Sequence, residues 1–172
     1  DNAAFFKPID FVFEKLYNEG ESFEVVFIHP DFNSFGRSNK DLVESKPYPT
    51  RHVKWDFNTL LSEMSTADIA VCPTLQNEWC RCKSANKAAS FASAGIPVVA
   101  TDIPSYREFI TNGENGYLCF TPDDWYDPLK KLMGSVSLQK KIGNAGKKAA
   151  MKMYSIERVC GIFESTIERM II

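Results

Sequence analysis

Apolar residues along the chain alternate between two rhythms. Ile9, Val12, Phe13 and Leu16 recur at helical spacing behind Pro8 and stop at Asn18-Glu19-Gly20, which predicts a first helix over 8–17. Phe23 to Ile28 is a continuous β-branched and aromatic run closed by His29-Pro30, the pattern of a buried strand. Residues 30–50, with Asn33-Ser34-Phe35-Gly36 and Pro47-Tyr48-Pro49, keep no sustained period and are expected to form a long loop or a weak helix. A short strand is predicted at 52–55. A helix capped by Asp56 follows, with Leu60, Leu61 and Met64 on its apolar side, and then a short buried strand over 68–73. Beyond a polar loop, small residues from Ser84 to Ala94 predict a helix ended by Gly95, and Ile96-Pro97-Val98-Val99-Ala100-Thr101 the next strand. A short helix at 105–110, Asn-Gly turns at 112–113 and 115–116, a strand at 117–120 and helices over about 123–133, 138–153 and 155–171 complete the chain. Strands separated by helices imply a parallel sheet covered on both faces, so the expected fold is a Rossmann-like, doubly wound α/β domain.

Composition narrows the function classes. The 172 residues carry a formal net charge of −2, and the basic residues are dispersed, so a nucleic-acid partner is not expected. No stretch approaches the roughly 18 apolar residues that span a bilayer, and no basic-then-apolar leader opens the chain, so a soluble, cytoplasmic protein is expected. Five cysteines, an odd number, suit reduced thiols. Cys80 and Cys82 supply two thiolates without the second pair that a zinc site needs, and His29 and His52 are remote in sequence, so no metal site is expected. The two histidines build no Ser/His/Asp or Cys/His constellation, and no Gly-rich P-loop or dinucleotide loop is present.

In an open parallel sheet, ligands settle beyond the carboxyl ends of strands. The loop from Pro73 to Ser84 is the richest in polar groups, and it enters the small-residue helix at Lys83-Ser84-Ala85-Asn86-Lys87. Small residues for close backbone approach, a hydroxyl and two lysines one turn apart make a candidate diphosphate cradle. The same residues also suit an ordinary helix start with solvated lysines.

The segment Asn86-Lys87-Ala88-Ala89-Ser90-Phe91-Ala92-Ser93-Ala94-Gly95-Ile96-Pro97-Val98-Val99-Ala100-Thr101 resembles the donor-binding segment of retaining group 1 glycosyltransferases of the GT-B fold. The resemblance continues through Glu108-Phe109-Ile110 and Asn112-Gly113 to Tyr117-Leu118. Upstream it takes in Ala67-Asp68-Ile69-Ala70-Val71-Cys72-Pro73 and Lys7-Pro8-Ile9-Asp10. It implies that Lys7, Lys83, Ser84, Ala85 and Lys87 face the donor diphosphate, and that Val53 to Trp55 lie at the nucleobase. It also places Ser90 at the ribose position and Cys82 at the donor-sugar position, where the family usually carries two glutamates eight positions apart. A neutral hydroxyl bonds a ribose about half as strongly as a carboxylate does. Glu78 is the candidate replacement for the sugar-side acid, or else a solvated loop glutamate. Trp79 stacks on a sugar or base face, or packs the loop. Tyr106 and Arg107 follow a strand end and face the cleft, Arg107 offering a phosphate contact, or form a surface pair.

The implied whole is a C-terminal donor domain over 1–172 that lacks its first strand and works with an N-terminal acceptor-binding domain. It would transfer a hexose from a nucleotide-diphosphate sugar with retention, without metal or other cofactor, in glycan or polysaccharide synthesis; alone it would be inactive. The missing acids also suit a non-catalytic interaction module, and sugar-nucleotide epimerases share the architecture. In the last helix, Val159, Ile162, Phe163, Ile167 and Ile171 form an apolar face expected to pack across the domain pair. Peripheral membrane contact is its second use.

Overall fold

The computed structural model describes residues 5–30 and 45–170. A 3-10 turn at Lys7–Ile9, with Pro8 at its start, runs into α1 (Asp10–Asn18). Val12, Phe13 and Leu16 of α1 are buried, and Phe13 packs in an aromatic group with Phe6 at 5.0 Å and with Phe23 and Tyr48 at 5.9 Å. The Asp10 carboxylate accepts from Lys46 and from the Tyr48 hydroxyl, which ties the segment before the second strand to the first helix. Tyr48 is therefore a core residue, although its surroundings in sequence have no period. The expected loop over 31–44, with Asn33 to Gly36, lies outside the described residues.

Strand β1 (Val25–His29) pairs in parallel with β2 (Thr50–Lys54), in a register running from Val25↔Thr50 to His29↔Lys54. Helix α2 (Phe57–Ser65) starts on Asp56, whose Oδ1 accepts from the Asn58 N–H at 2.8 Å. Then come β3 (Ala70–Cys72), the single turn α3 (Glu78–Arg81), α4 (Asn86–Ser93), β4 (Val98–Thr101), the single turn α5 (Pro104–Arg107) and β5 (Tyr117–Cys119). A 3-10 turn (Pro122–Trp125) leads to α6 (Tyr126–Met133), α7 (Val136–Tyr154) and α8 (Ile156–Met170). The predicted helix at 84–94 starts two residues later, because Ser84 and Ala85 belong to the turn leaving α3.

Strands β3, β4 and β5 form a second parallel sheet in that order. One continuous sheet was expected. The described strands instead make a pair and a trio, with no ladder joining β1 to β3, although residues of both sheets share a core. All of β4 is buried, and its side chains alternate between two layers. Val98 and Ala100 face Ala88 and Ala92 of α4, whereas Val99 faces Leu16, Leu129, Leu132 and Ile142. Those four are almost fully buried, each stabilising the fold by about 1.5–3 kcal/mol. The result is an α/β domain with helices on both faces of parallel strands.

Helix α4 ends as the sequence predicts. Gly95 adopts φ +84, the Ile96 N–H reaches the Phe91 carbonyl at 3.2 Å and the Gly95 N–H the Ala92 carbonyl at 2.9 Å, a Schellman turn that aims the chain into β4. Among the described residues no helix is long and apolar enough to cross a membrane.

Candidate functional site

Because β3, β4 and β5 are parallel, the loops after Cys72, Thr101 and Cys119 emerge on one side. Thr101, 5% exposed, joins two of them: its Oγ1 accepts from the Thr74 N–H at 2.9 Å and donates to the Thr74 carbonyl at 3.1 Å. Gln76 reaches across to the Phe120 carbonyl at 2.8 Å. Asn77 then caps α3 by accepting from the Cys80 N–H, which holds Glu78 and Trp79 on an exposed turn and buries Cys80 beneath them.

Between these loops and the start of α4 lies a hollow of about 230 Å³. Lys83, Ser84 and Lys87 line it, together with Thr74, Tyr106 and Phe5, and among the described residues no acidic one does. The Lys83 ammonium sits 4.1 Å from the centroid of the Phe5 ring. Ala85, at the N-cap of α4, offers no side-chain cap, so the N–H groups of the first turn have no partner from that residue. Lys87 as a residue keeps solvent access, yet its pKa is lowered. Desolvation of the ammonium is the main cause and repulsion by Lys83 a lesser one. Burial pushes the Cys72 thiol beneath it up to about 12, so the thiol stays neutral. The Thr74 hydroxyl is buried and has no hydrogen-bond partner among the described residues. Two cations, one under pressure to lose its proton, beside a helix start suit an anion.

The residues predicted for this role divide into two groups. Lys83, Ser84 and Lys87 come together in the hollow, with Ala85 buried at the helix start behind them and Tyr106 as a wall. Lys7 is exposed on the 3-10 turn and is not among the lining residues. The chain reaches the hollow two residues earlier, through Phe5. Ser90 lies in an adjoining hollow of about 220 Å³ with Ser93, Met151 and Tyr154, joined to the first by Asn86, which lines both. Its hydroxyl donates to the Asn86 carbonyl at 2.8 Å. Arg107 is held by Asp102 through two bonds, that from Nη2 measuring 2.8 Å, so its guanidinium is an ion-pair partner rather than an open phosphate contact. Val53 is half-buried in β2 and Trp55 exposed just past it; Trp79 is 80% exposed. Glu78 and Cys82 are exposed and line neither hollow.

Sequence reasoning missed Thr74 and Phe5, and named Asn86 only as part of the cradle segment. Thr74 carried a signal, being the first residue past the strand predicted over 68–73. Phe5 carried none, since it meets Lys83 only through the tertiary fold. All five cysteines are free, and among the described residues no group of three or more His, Cys, Asp or Glu is placed to hold a metal ion.

A family model described as glycosyl transferases, group 1, matches residues 38–135, more than half of the chain. No curated protein matches it. Among solved structures, TarM superposes with a TM-score of 0.75 at 18% identity, over 93% of this chain and 32% of its own. Sucrose-phosphate synthase from Thermosynechococcus elongatus gives 0.70 at 13% identity, over 96% and 42%. Anabaena HepE, solved in complex with UDP-glucose, gives 0.65 at 11% identity, over 98% and 56%. At these identities the likeness is one of fold. The chain spans between 32% and 56% of the length of these three proteins.

Proposed function

The chain belongs to the group 1 glycosyl transferases, and from that premise we propose that it is the donor-binding half of such an enzyme. In this reading it holds a nucleotide-diphosphate sugar while an N-terminal domain presents the acceptor. One observation carries the proposal: at the carboxyl ends of parallel strands, Lys83, Lys87 and Ser84 converge on a hollow that no described acidic residue lines. The presence of UDP-glucose in HepE supports the ligand class.

In the proposed mechanism the diphosphate lies against Lys83, Lys87, Ser84 and the first-turn N–H groups of α4, and Lys7, exposed outside the hollow, would join only by a movement of its 3-10 turn. As the bond between sugar and diphosphate breaks, charge develops on the leaving oxygen. Fixed cations and N–H dipoles stabilise it without a metal. The ribose would extend along Asn86 towards Ser90, whose hydroxyl must turn from its own helix carbonyl. The base would reach Val53 and Trp55. The sugar would project towards Glu78 and Trp79 at the rim, where the acceptor meets it, and transfer of a hexose with retention follows the family pattern. Arg107 would join only by leaving Asp102.

Two features support the partner domain. Helix α8 buries none of its residues and leaves Ile156, Val159, Phe163 and Met170 exposed, a face that suits another protein surface better than a peripheral membrane contact. The division between the β1–β2 pair and the β3–β4–β5 trio supports an upstream strand joining them. Phe6 packs on Phe27 in the middle of β1 at 4.9 Å while Phe5 lies beside Pro73 and Thr74 just past β3, so the segment before Lys7 touches both sheets. The chain alone would then bind donor without transferring sugar, in the cytoplasm.

Calorimetric titration with UDP, GDP and ADP sugars tests the reading. At least one should bind, and Lys87→Ala should weaken it about ten- to a hundredfold, the range for a lost bond to a charged group. Because the Lys87 pKa is lowered, its charge is lost on raising pH before the ordinary 10.5 is reached. Bound anion favours the protonated form, so binding takes up a proton there and affinity falls as pH rises. Lys87→Arg should move that fall to higher pH. A second reading, a non-catalytic interaction module, is favoured by Cys82 and Ser90 standing where the family carries acids. It expects no loss of binding in Lys87→Ala.

A further inference from the structure

We infer that Phe5 is a positioning residue of this site: its ring holds the Lys83 ammonium in place to meet the diphosphate. The inference rests on the reading of the hollow given above. Lys83 stands on the turn between α3 and α4, on a flexible stem whose ammonium would otherwise sample many rotamers and lean away from Lys87. The Phe5 ring, only 9% exposed, receives it at 4.1 Å, well inside the reach of a cation–π contact.

The ring acts as a wall rather than a plug. With Phe5 seated, the hollow still measures about 230 Å³, an order of magnitude more than one ordered water needs. Phe5 is also anchored from behind, since its neighbour Phe6 packs against Phe13 at 5.0 Å and Phe27 at 4.9 Å. The platform is therefore fixed by the β1 side of the molecule while the cation it steadies belongs to the β3 side. An aromatic face attracts the ammonium without neutralising it, so the full charge stays available to an anion, which a carboxylate at the same place would not allow. This assigns the segment before Lys7 a part in donor binding that needs no direct contact with the donor.

The test is a double-mutant cycle on the whole chain, with inorganic pyrophosphate as probe and binding followed by calorimetry. Phe5→Leu keeps most of the buried apolar volume and removes the π face; Phe5→Met repeats the measurement should leucine lower the melting temperature. Either should weaken pyrophosphate binding about three- to tenfold, Phe5→Tyr should retain it, and in a Lys83→Met background the change at position 5 should have no further effect. Unchanged or tighter binding in Phe5→Leu and Phe5→Met would overturn the inference while leaving the site intact, and so would an equal loss with Lys83 already replaced. Failure of the unaltered chain to bind pyrophosphate would overturn the reading of the hollow, and this inference with it.

Discussion

Helices α7 and α8 follow one another with only Ser155 between them, and both carry apolar residues at helical spacing, yet they end in opposite situations. In α7, Gly143, Gly146 and Ala150 are buried against α4 and the turns at Gly95 and Asn115, and Ile142 in the layer of Leu129 and Leu132. In α8, no residue is buried, and Phe163 is 68% exposed. The difference lies in the glycines. A Cβ on Gly143 would come within 2.0 Å of the Gly95 carbonyl oxygen, so α7 touches the Schellman turn backbone to backbone. Gly161 of α8 has nothing within 4 Å of the same position. Apolar period tells which face of a helix seeks cover; close backbone fit tells which helix has found it.

Replacing glycines along the two helices sharpens this contrast. Gly143→Ala should have the largest effect. Backbone atoms on both sides must move, and α7 must lift from α4, an overpacking that costs about 3 kcal/mol and lowers the melting temperature by roughly 6–12 °C. Thermal unfolding followed by circular dichroism reads this directly, and an unchanged melting temperature would refute the backbone contact. Gly146→Ala is the intermediate case. Its Cβ would meet the Asn115 carbonyl oxygen at 2.9 Å but only the methyl of Ala92 otherwise, at 3.7 Å. The Asn115 turn can shift by tenths of an ångström, subject to the side-chain bonds from Asn115 to Thr111 and Phe109 that hold it. A loss of about 1–2 kcal/mol is expected.

These contacts explain what could be read from the chain and what could not. The Gly95-x-Pro97-Val98-Val99 sequence announces its own structure, because a left-handed helix end and an all-apolar strand are local properties. The three strand-end loops were legible for the same reason, and so were Lys83, Ser84 and Lys87, which lie within one of them. Other features depend on residues far apart. Phe5 and Lys83 are neighbours only in space, and the 3-10 turn that brings Phe5 inward leaves Lys7 on the outside. Tyr48 is buried by partners on α1, although its own Pro-rich surroundings suggest a loop. Arg107 looked available because Asp102, five residues away across a strand end, is not a neighbour at any helical spacing. The gap between β1 and β3 is likewise absent from the local pattern of either strand, since pairing belongs to two segments at once.

At the weak end of the series stand two substitutions in α8. Gly161→Ala fills open space in an exposed helix and removes backbone freedom from the unfolded chain, so it should stabilise by about 0.5–1 kcal/mol, opposite in sign to Gly143→Ala. Phe163→Ser should do least. Phenylalanine and serine have similar helix propensities, and an uncovered ring loses little burial, so the stability of this chain should change by less than about 0.5 kcal/mol. That near-zero result is informative because a buried phenylalanine truncated to a small side chain costs about 3–5 kcal/mol. Chemical denaturation of the chain by itself separates the two cases. A large loss would mean that α8 is already covered and that the contrast with α7 is false, whereas no loss leaves its apolar face free for a second protein surface.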